Sequence, residues 1–157
     1  RIAFIADPQG APVYIMRGLC DEPSRAFAFD KPRVGHCAWN ELSSTDPAAA
    51  WDFYGGHFGW QKEGELDMGE MGAYEFLRHS GVFGALMRKP AEMPISLWTY
   101  YFRVANIDEA VDKVVAGGGQ IIFGPDEIPG GDFVIKGFDP AGAMFALVGA
   151  GNPRVAT

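Results

Sequence analysis

A short phrase occurs twice, at opposite ends of the chain. Asp7-Pro8-Gln9-Gly10-Ala11 and Asp139-Pro140-Ala141-Gly142-Ala143 each stand between two apolar runs. Proline fixes φ, glycine accepts positive φ, and the Asp carboxylate can bond the turn backbone, so each copy predicts a β-hairpin. The copies start 132 positions apart, about the length of one ordinary domain. The spacing divides the chain. Residues 1–34 are expected to be an orphan strand pair and linker, the tail of a preceding module. Residues 35–150 form one whole module, and 151–157 a C-terminal tail.

The totals narrow the class. A chain of 157 residues supports one self-sufficient core with little left for a second. Its net charge of −7 speaks against a nucleic-acid partner. No apolar stretch approaches the roughly 20 residues of a membrane span. Cys20 and Cys37 form no metal-type pair, so a reduced, cytoplasmic setting is the default expectation. Opening at Arg1 rather than Met is compatible with a leader or an upstream domain, so secretion stays open.

Along the chain, 1–6 and 11–16 read as paired strands and 20–32 as a linker. A strand over 37–43 puts Cys37, Trp39, Glu41 and Ser43 on one face, and Ala38, Asn40 and Leu42 on the other. Thr45-Asp46-Pro47 starts a helix with a cap followed by proline in the first turn. That helix is expected to end at Gly55, Gly56 and Gly59. Strands over 60–66, 73–78 and 82–87 follow. The pattern then restarts: strand 96–104, a helix from Asn106 to Gly117, and strands 120–123, 133–138 and 143–148. The unit is therefore two consecutive β-α-β-β-β halves. Each helix covers the outer face of its own sheet, because several large apolar side chains left in water would cost roughly 1.5–3 kcal/mol each. Leu42, Phe102, Val104, Phe145 and Leu147 are assigned to that outer core.

These residues carry a signature. Trp39-Asn40-Glu41-Leu42, Asp46, Phe53-Tyr54 and Phe58-Gly59-Trp60 are followed by Val104, Ile107-Asp108-Glu109-Ala110, Gly117-Gly118-Gly119 and Asp139-Pro140-Ala141-Gly142. Together they resemble the glyoxalase/bleomycin resistance/dioxygenase (vicinal-oxygen-chelate) superfamily, above all bacterial members with two tandem modules. The resemblance implies an α+β fold in which paired β-α-β-β-β halves form a curved eight-stranded bowl, here with an extra N-terminal hairpin. It also implies that metal-dependent relatives hold a divalent ion with His, Gln or Glu from the first strand of each half and from the final strand. Carried over, those positions fall on Trp39, Thr99 and Ala146, and on Tyr14 in the orphan copy. None of Trp39, Thr99 or Ala146 is a usual divalent-metal ligand.

The expected site is accordingly a metal-free, cofactor-free binding cavity for a small, partly apolar molecule. Its candidate lining is Trp39, Glu41, Thr99, Tyr101, Arg103, Met144 and Ala146, with Phe83 in addition. Trp39 and Tyr101 would stack on the ligand, while Glu41, Thr99 and Arg103 orient it. Glu41 is the one candidate for general-base work; its plain alternative is a solvated carboxylate at the strand mouth, or one paired with Arg103. The competing function is a metal-dependent lyase or dioxygenase of the same family, with a divalent metal whose ligands another module or subunit completes. A third is a structural or assembly module. The orphan strands predict a homodimer or a paired module.

Overall fold

The computed structural model describes residues 1–19, 26–27 and 33–151. Most of the expected linker, Cys20 and the tail from 152 onward lie outside the described residues. Two compact units form: the N-terminal hairpin with Trp39–Thr99, and Tyr100 onward with the short stretch before Trp39.

The first half runs β3 (Cys37–Ser44), α1 (Pro47–Phe58), β4 (Gln61–Asp67), β5 (Ala73–Arg78) and β6 (Val82–Arg88). The second runs β7 (Leu97–Asn106), α2 (Ile107–Ala116), β8 (Gln120–Glu127), β9 (Asp132–Phe138) and β10 (Met144–Ala150). The eight strands are ordered β4-β5-β6-β3-β7-β10-β9-β8. Each half repeats one rule: its first strand pairs parallel with its last, β3 with β6 and β7 with β10, while β4–β5, β5–β6, β9–β10 and β8–β9 are antiparallel. The chain is thus an α+β fold of paired β-α-β-β-β halves.

Capping chemistry sets the helices. Asp46 caps α1 by accepting from the Ala49 N–H at 3.2 Å, and Pro47 occupies the first turn. Asn106 caps α2 by accepting from the N–H groups of Asp108 and Glu109 at 2.9 and 3.0 Å. Asp108 and Glu109 then lie in the first turn and Lys113 in the last, matching the helix dipole. The expectation that Gly55 and Gly56 end α1 is corrected. The helix runs through both and stops at Gly59, which adopts φ 67° and donates its N–H to the Gly55 carbonyl at 3.0 Å. Termination waits for the residue that must take positive φ.

Ala50 and Tyr54 of α1 cluster with Leu42, Leu77, Leu86 and Trp98 beneath it. Under α2 lie Ile107, Phe133 and Ile135, with Val104, Phe145 and Leu147 packed against them. Two assignments change. Phe102 is 44% exposed, because those side chains already fill the room beneath α2. Phe83 packs edge-on against Trp60 at 4.8 Å, in the cluster under α1 and away from the opposite face.

The hairpin β1 (Ile2–Ala6) and β2 (Pro12–Met16) forms a separate two-stranded sheet. Its register copies that of β9–β10: shifting both strands by 132 positions carries the pair Ala6–Pro12 onto Phe138–Met144, and Ile2–Met16 onto Val134–Val148. The turns match bond for bond. Asp7 N–H donates to the Ala11 carbonyl at 3.0 Å, as Asp139 does to Ala143 at 2.9 Å. Each Asp Oδ1 accepts from the backbone two and four residues on, at 2.9 and 2.8 Å in both copies. Gly10 and Gly142 share φ 86°.

The first copy is also anchored to its unit. Ala11 is fully buried in the cluster under α1. The Tyr54 hydroxyl donates to Asp7 Oδ2 at 3.1 Å and accepts from Trp98 Nε1 at 3.0 Å.

Candidate functional site

Leu42 faces α1, so the alternation of β3 turns Trp39, Glu41 and Ser43 to the other side of the sheet. Strand pairing extends that face. Glu41 stands opposite Ala85 and Ala85 opposite Phe76; Ser43 stands opposite Met87 and Met87 opposite Tyr74. Ala85 is small and fully buried, which lets the long Tyr74 side chain reach across β6. Its hydroxyl accepts from Trp39 Nε1 at 2.8 Å and donates to Glu41 Oε2 at 3.1 Å. Phe76 meets Trp39 edge-on at 6.1 Å and Tyr74 at 6.0 Å. The result is a chain of indole, phenol and carboxylate walled by aromatic rings.

Electrostatics locks the phenol in its neutral form. Burial, then the nearby Glu41 charge, push the Tyr74 pKa well above the ordinary tyrosine value. The hydroxyl therefore stays a donor to Glu41. Glu41 itself is only 4% exposed.

Two further hydroxyls belong to this unit. Thr99 follows Trp98, whose side chain packs under α1, so Thr99 points to the opposite side of its strand. Thr99 and Ser43 are 3% and 1% exposed, and among the described residues neither Thr99 Oγ1 nor Ser43 Oγ has a hydrogen-bond partner. Their neighbours are satisfied: Ser96 accepts from the Thr45 N–H at 3.0 Å and Ser44 from the Asp46 N–H at 3.2 Å. A buried hydroxyl left unpaired costs about 1–3 kcal/mol, so each is a place for a ligand or water to gain a bond.

The second half carries a parallel arrangement. Tyr101, Ala146 and Lys136 form one row across β7, β10 and β9, and Ala146 is fully buried. The small methyl lets the Lys136 ammonium sit 5.7 Å from the centre of the Tyr101 ring. Arg103 binds Asp132 through both terminal nitrogens. Its guanidinium is therefore engaged within its own half. Met144 is half-buried at the start of β10.

The structure thus brings Trp39 and Glu41 together, and places Thr99 in the same unit. Tyr101, Arg103, Met144 and Ala146 belong to the other unit. Tyr74, Phe76, Lys136 and Asp132 were missed by sequence reasoning. The alternation of Tyr74 and Phe76 on a legible strand was the available signal for two of them. Among the described residues, no three His, Cys, Asp or Glu side chains converge as metal ligands. The indole, hydroxyl and methyl of Trp39, Thr99 and Ala146 do not fit a divalent ion.

The comparisons agree with this architecture. The family profile of the Glyoxalase/Bleomycin resistance protein/Dioxygenase superfamily matches residues 33–147. The anthracycline biosynthesis protein DnrV of Streptomyces peucetius is 32% identical over 127 residues, covering 72% of this chain and 46% of that protein. Putative glyoxylase CFP32 of Mycobacterium tuberculosis is 32% identical over 151 residues, covering 94% of this chain and 55% of that protein. The chain spans about half the length of these curated relatives. Among solved structures, a Streptomyces coelicolor methylmalonyl-CoA epimerase variant in complex with 2-nitronate-propionyl-CoA aligns with TM-score 0.57 and 17% identity. It covers 75% of this chain and 99% of its own. A hypothetical protein, BH1468 from Bacillus halodurans, aligns with TM-score 0.57 and 17% identity, over 77% of this chain and 97% of its own. At that identity they speak for the fold alone. With the matched profile covering both halves, the chain belongs to the glyoxalase/bleomycin resistance protein/dioxygenase superfamily.

Proposed function

We propose that this chain is a metal-independent binding module of its family, holding a small, partly apolar molecule against the Trp39–Glu41–Tyr74 face. One observation carries the reading: among the described residues the buried Thr99 and Ser43 hydroxyls have no partner, in a unit where Trp39, Tyr74 and Glu41 are tied into an oriented chain. Trp39 and Phe76 supply flat apolar surface. Glu41 accepts a hydrogen bond from the ligand, and Thr99 and Ser43 supply hydroxyls. Sequestration of this kind requires no bond-making. The absence of ligand-type side chains at Trp39, Thr99 and Ala146 supports independence from a metal. The paired match between the N-terminal hairpin and β9–β10 further supports reading β1–β2 as the last hairpin of a companion glyoxalase-like module.

A second reading is an acid–base enzyme. It is favoured by the Glu41–Tyr74 contact, which pairs a buried carboxylate with an oriented phenol. Its signature is solvent deuterium entering a carbon acid, lost in Glu41→Gln.

The test uses the purified chain, metal analysis and a hydroxyanthraquinone, alizarin, chosen because one relative is named for anthracycline biosynthesis. The expected result is saturable quenching of tryptophan fluorescence and a rise in melting temperature, both unchanged by EDTA. At a hundredfold excess over Kd the stabilisation is about 2.7 kcal/mol. Tightly retained stoichiometric divalent metal, with binding lost to chelator, would overturn metal independence. No saturable binding of alizarin or of the apolar dye anilinonaphthalene sulfonate would overturn the binding reading.

A further inference from the structure

The two copies of the Asp-Pro-x-Gly-Ala turn are the same object in two situations. Their backbone hydrogen bonds, Asp Oδ1 contacts and glycine φ agree. The first copy is seated: Asp7 is 4% exposed, Ala11 is fully buried, and Asp7 Oδ2 takes the Tyr54 hydroxyl. In the second copy Asp139 and Ala143 are both exposed, and Asp139 Oδ2 has no partner among the described residues.

A turn held by four bonds presents its spare carboxylate oxygen and its alanine methyl in a fixed geometry. Its ordering cost is met before any partner arrives. Residue 114 of α2, which corresponds to Tyr54 of α1, is a valine and offers no hydroxyl. The second turn therefore lacks in its own half the seat the first turn uses.

We infer that the exposed Asp139–Ala143 turn docks onto the first helix of a second glyoxalase-like module, one that presents a tyrosine hydroxyl as Tyr54 does. The contact is the return half of a pseudo-two-fold exchange: each module sends its last turn to the other's first helix. Two facts select this partner. The seated copy is a template for the contact within the same molecule. The matched relatives are about twice as long as this chain. A second unaltered copy is a poor partner, because its Tyr54 is already taken by its own Asp7. The inference rests on reading β1–β2 as a companion module's last hairpin. It is independent of what the Trp39–Glu41–Tyr74 face binds, so the alizarin assay and the one below fail separately.

The test vacates the seat in the full chain. Ala11→Arg places a charge where no exposed surface exists and expels the first turn, leaving Tyr54 open to the Asp139 turn of another copy. Sedimentation equilibrium is expected to show Ala11→Arg associating at least about tenfold more tightly than the unchanged chain. Adding Ala143→Arg or Asp139→Ala, both at exposed positions, is expected to return association to the unchanged level. Circular dichroism checks that each variant is folded. If Ala11→Arg does not fold, Asp7→Ala removes the acceptor, and with it the Oδ1 bonds of the first turn, without adding bulk. Hydrogen exchange over 1–16 then shows that the hairpin has left. A folded variant with a released hairpin that does not associate overturns the inference. So does association that Ala143→Arg and Asp139→Ala leave intact.

Discussion

Tyr54→Phe separates what the hydroxyl does from what the ring does. The ring is 1% exposed and stacks on Trp60 at 4.8 Å with the planes 4° apart; phenylalanine keeps that contact. The hydroxyl is the only atom lost. With it go the bond to Asp7 Oδ2 at 3.1 Å and the bond from Trp98 Nε1 at 3.0 Å. Both partners stay buried, Asp7 at 4% and Trp98 at 7% exposed. A hydrogen bond to a charged group contributes about 1.5–3 kcal/mol and a neutral one about 1 kcal/mol, so the expected loss is about 2–4 kcal/mol. For a domain of this size that lowers Tm by about 5–12 °C. Urea unfolding followed by tryptophan fluorescence measures it. A double-mutant cycle with Asp7→Ala isolates the hairpin contact, and a coupling of at least about 1 kcal/mol is expected. A loss below about 0.5 kcal/mol in Tyr54→Phe, or additivity with Asp7→Ala, would show that the hairpin is not held through this hydroxyl.

Three other outcomes follow from the geometry. Gly84 faces Asn40 across the parallel β3–β6 pair, and a methyl there would lie 2.0 Å from the Asn40 carbonyl oxygen. Gly84→Ala is expected to cost at least about 3 kcal/mol or to abolish soluble expression, read by thermal melting. Thr99→Val replaces an unpaired buried hydroxyl with a methyl, so stability is expected to hold or rise by up to about 1 kcal/mol while alizarin affinity falls; a clear drop in Tm refutes the unpaired assignment. Burial first, then Glu41, raises the pKa of Tyr74, so it keeps its proton in the folded chain after unfolded tyrosines ionise near pH 10; burial first, then Cys37, raises that of the more exposed Tyr100 in the same direction, where solvent screens the effect. The unfolded state then binds fewer protons, and stability is expected to be level below about pH 10 and to fall above it, by up to about 1.4 kcal/mol per pH unit for each retained proton. Tyr74→Phe should flatten that alkaline fall, which pH-dependent urea midpoints would show.

The elements were readable because their signals are local. Asp46-Pro47 and Asn106 start helices by bonding their own backbone, and Asp-Pro-x-Gly closes a hairpin within five residues. Those interactions survive in any tertiary setting. Glycine was less reliable: Gly55 and Gly56 cost helix propensity, yet packing of Ala50 and Tyr54 carried α1 past them to Gly59. Phe102 looked like core because it alternates with buried neighbours, but the space on that face was already taken. The site was half legible. Trp39 and Glu41 follow from the alternation of one strand. Tyr74 does not, because it reaches Glu41 from two strands away across an alanine.

The sequence by itself determined the repeat, the two halves and the helix caps. All of these are properties of neighbours along the chain or of spacing. Only the tertiary structure decided which carboxylates acquire partners beyond their own turn: Glu41 goes to Tyr74, Asp132 to Arg103, and Asp7 to Tyr54, while among the described residues Oδ2 of its twin Asp139 has none. The physical reason is that a turn's own hydrogen bonds use one carboxylate oxygen, and the fate of the other depends on what a distant segment brings within 3 Å.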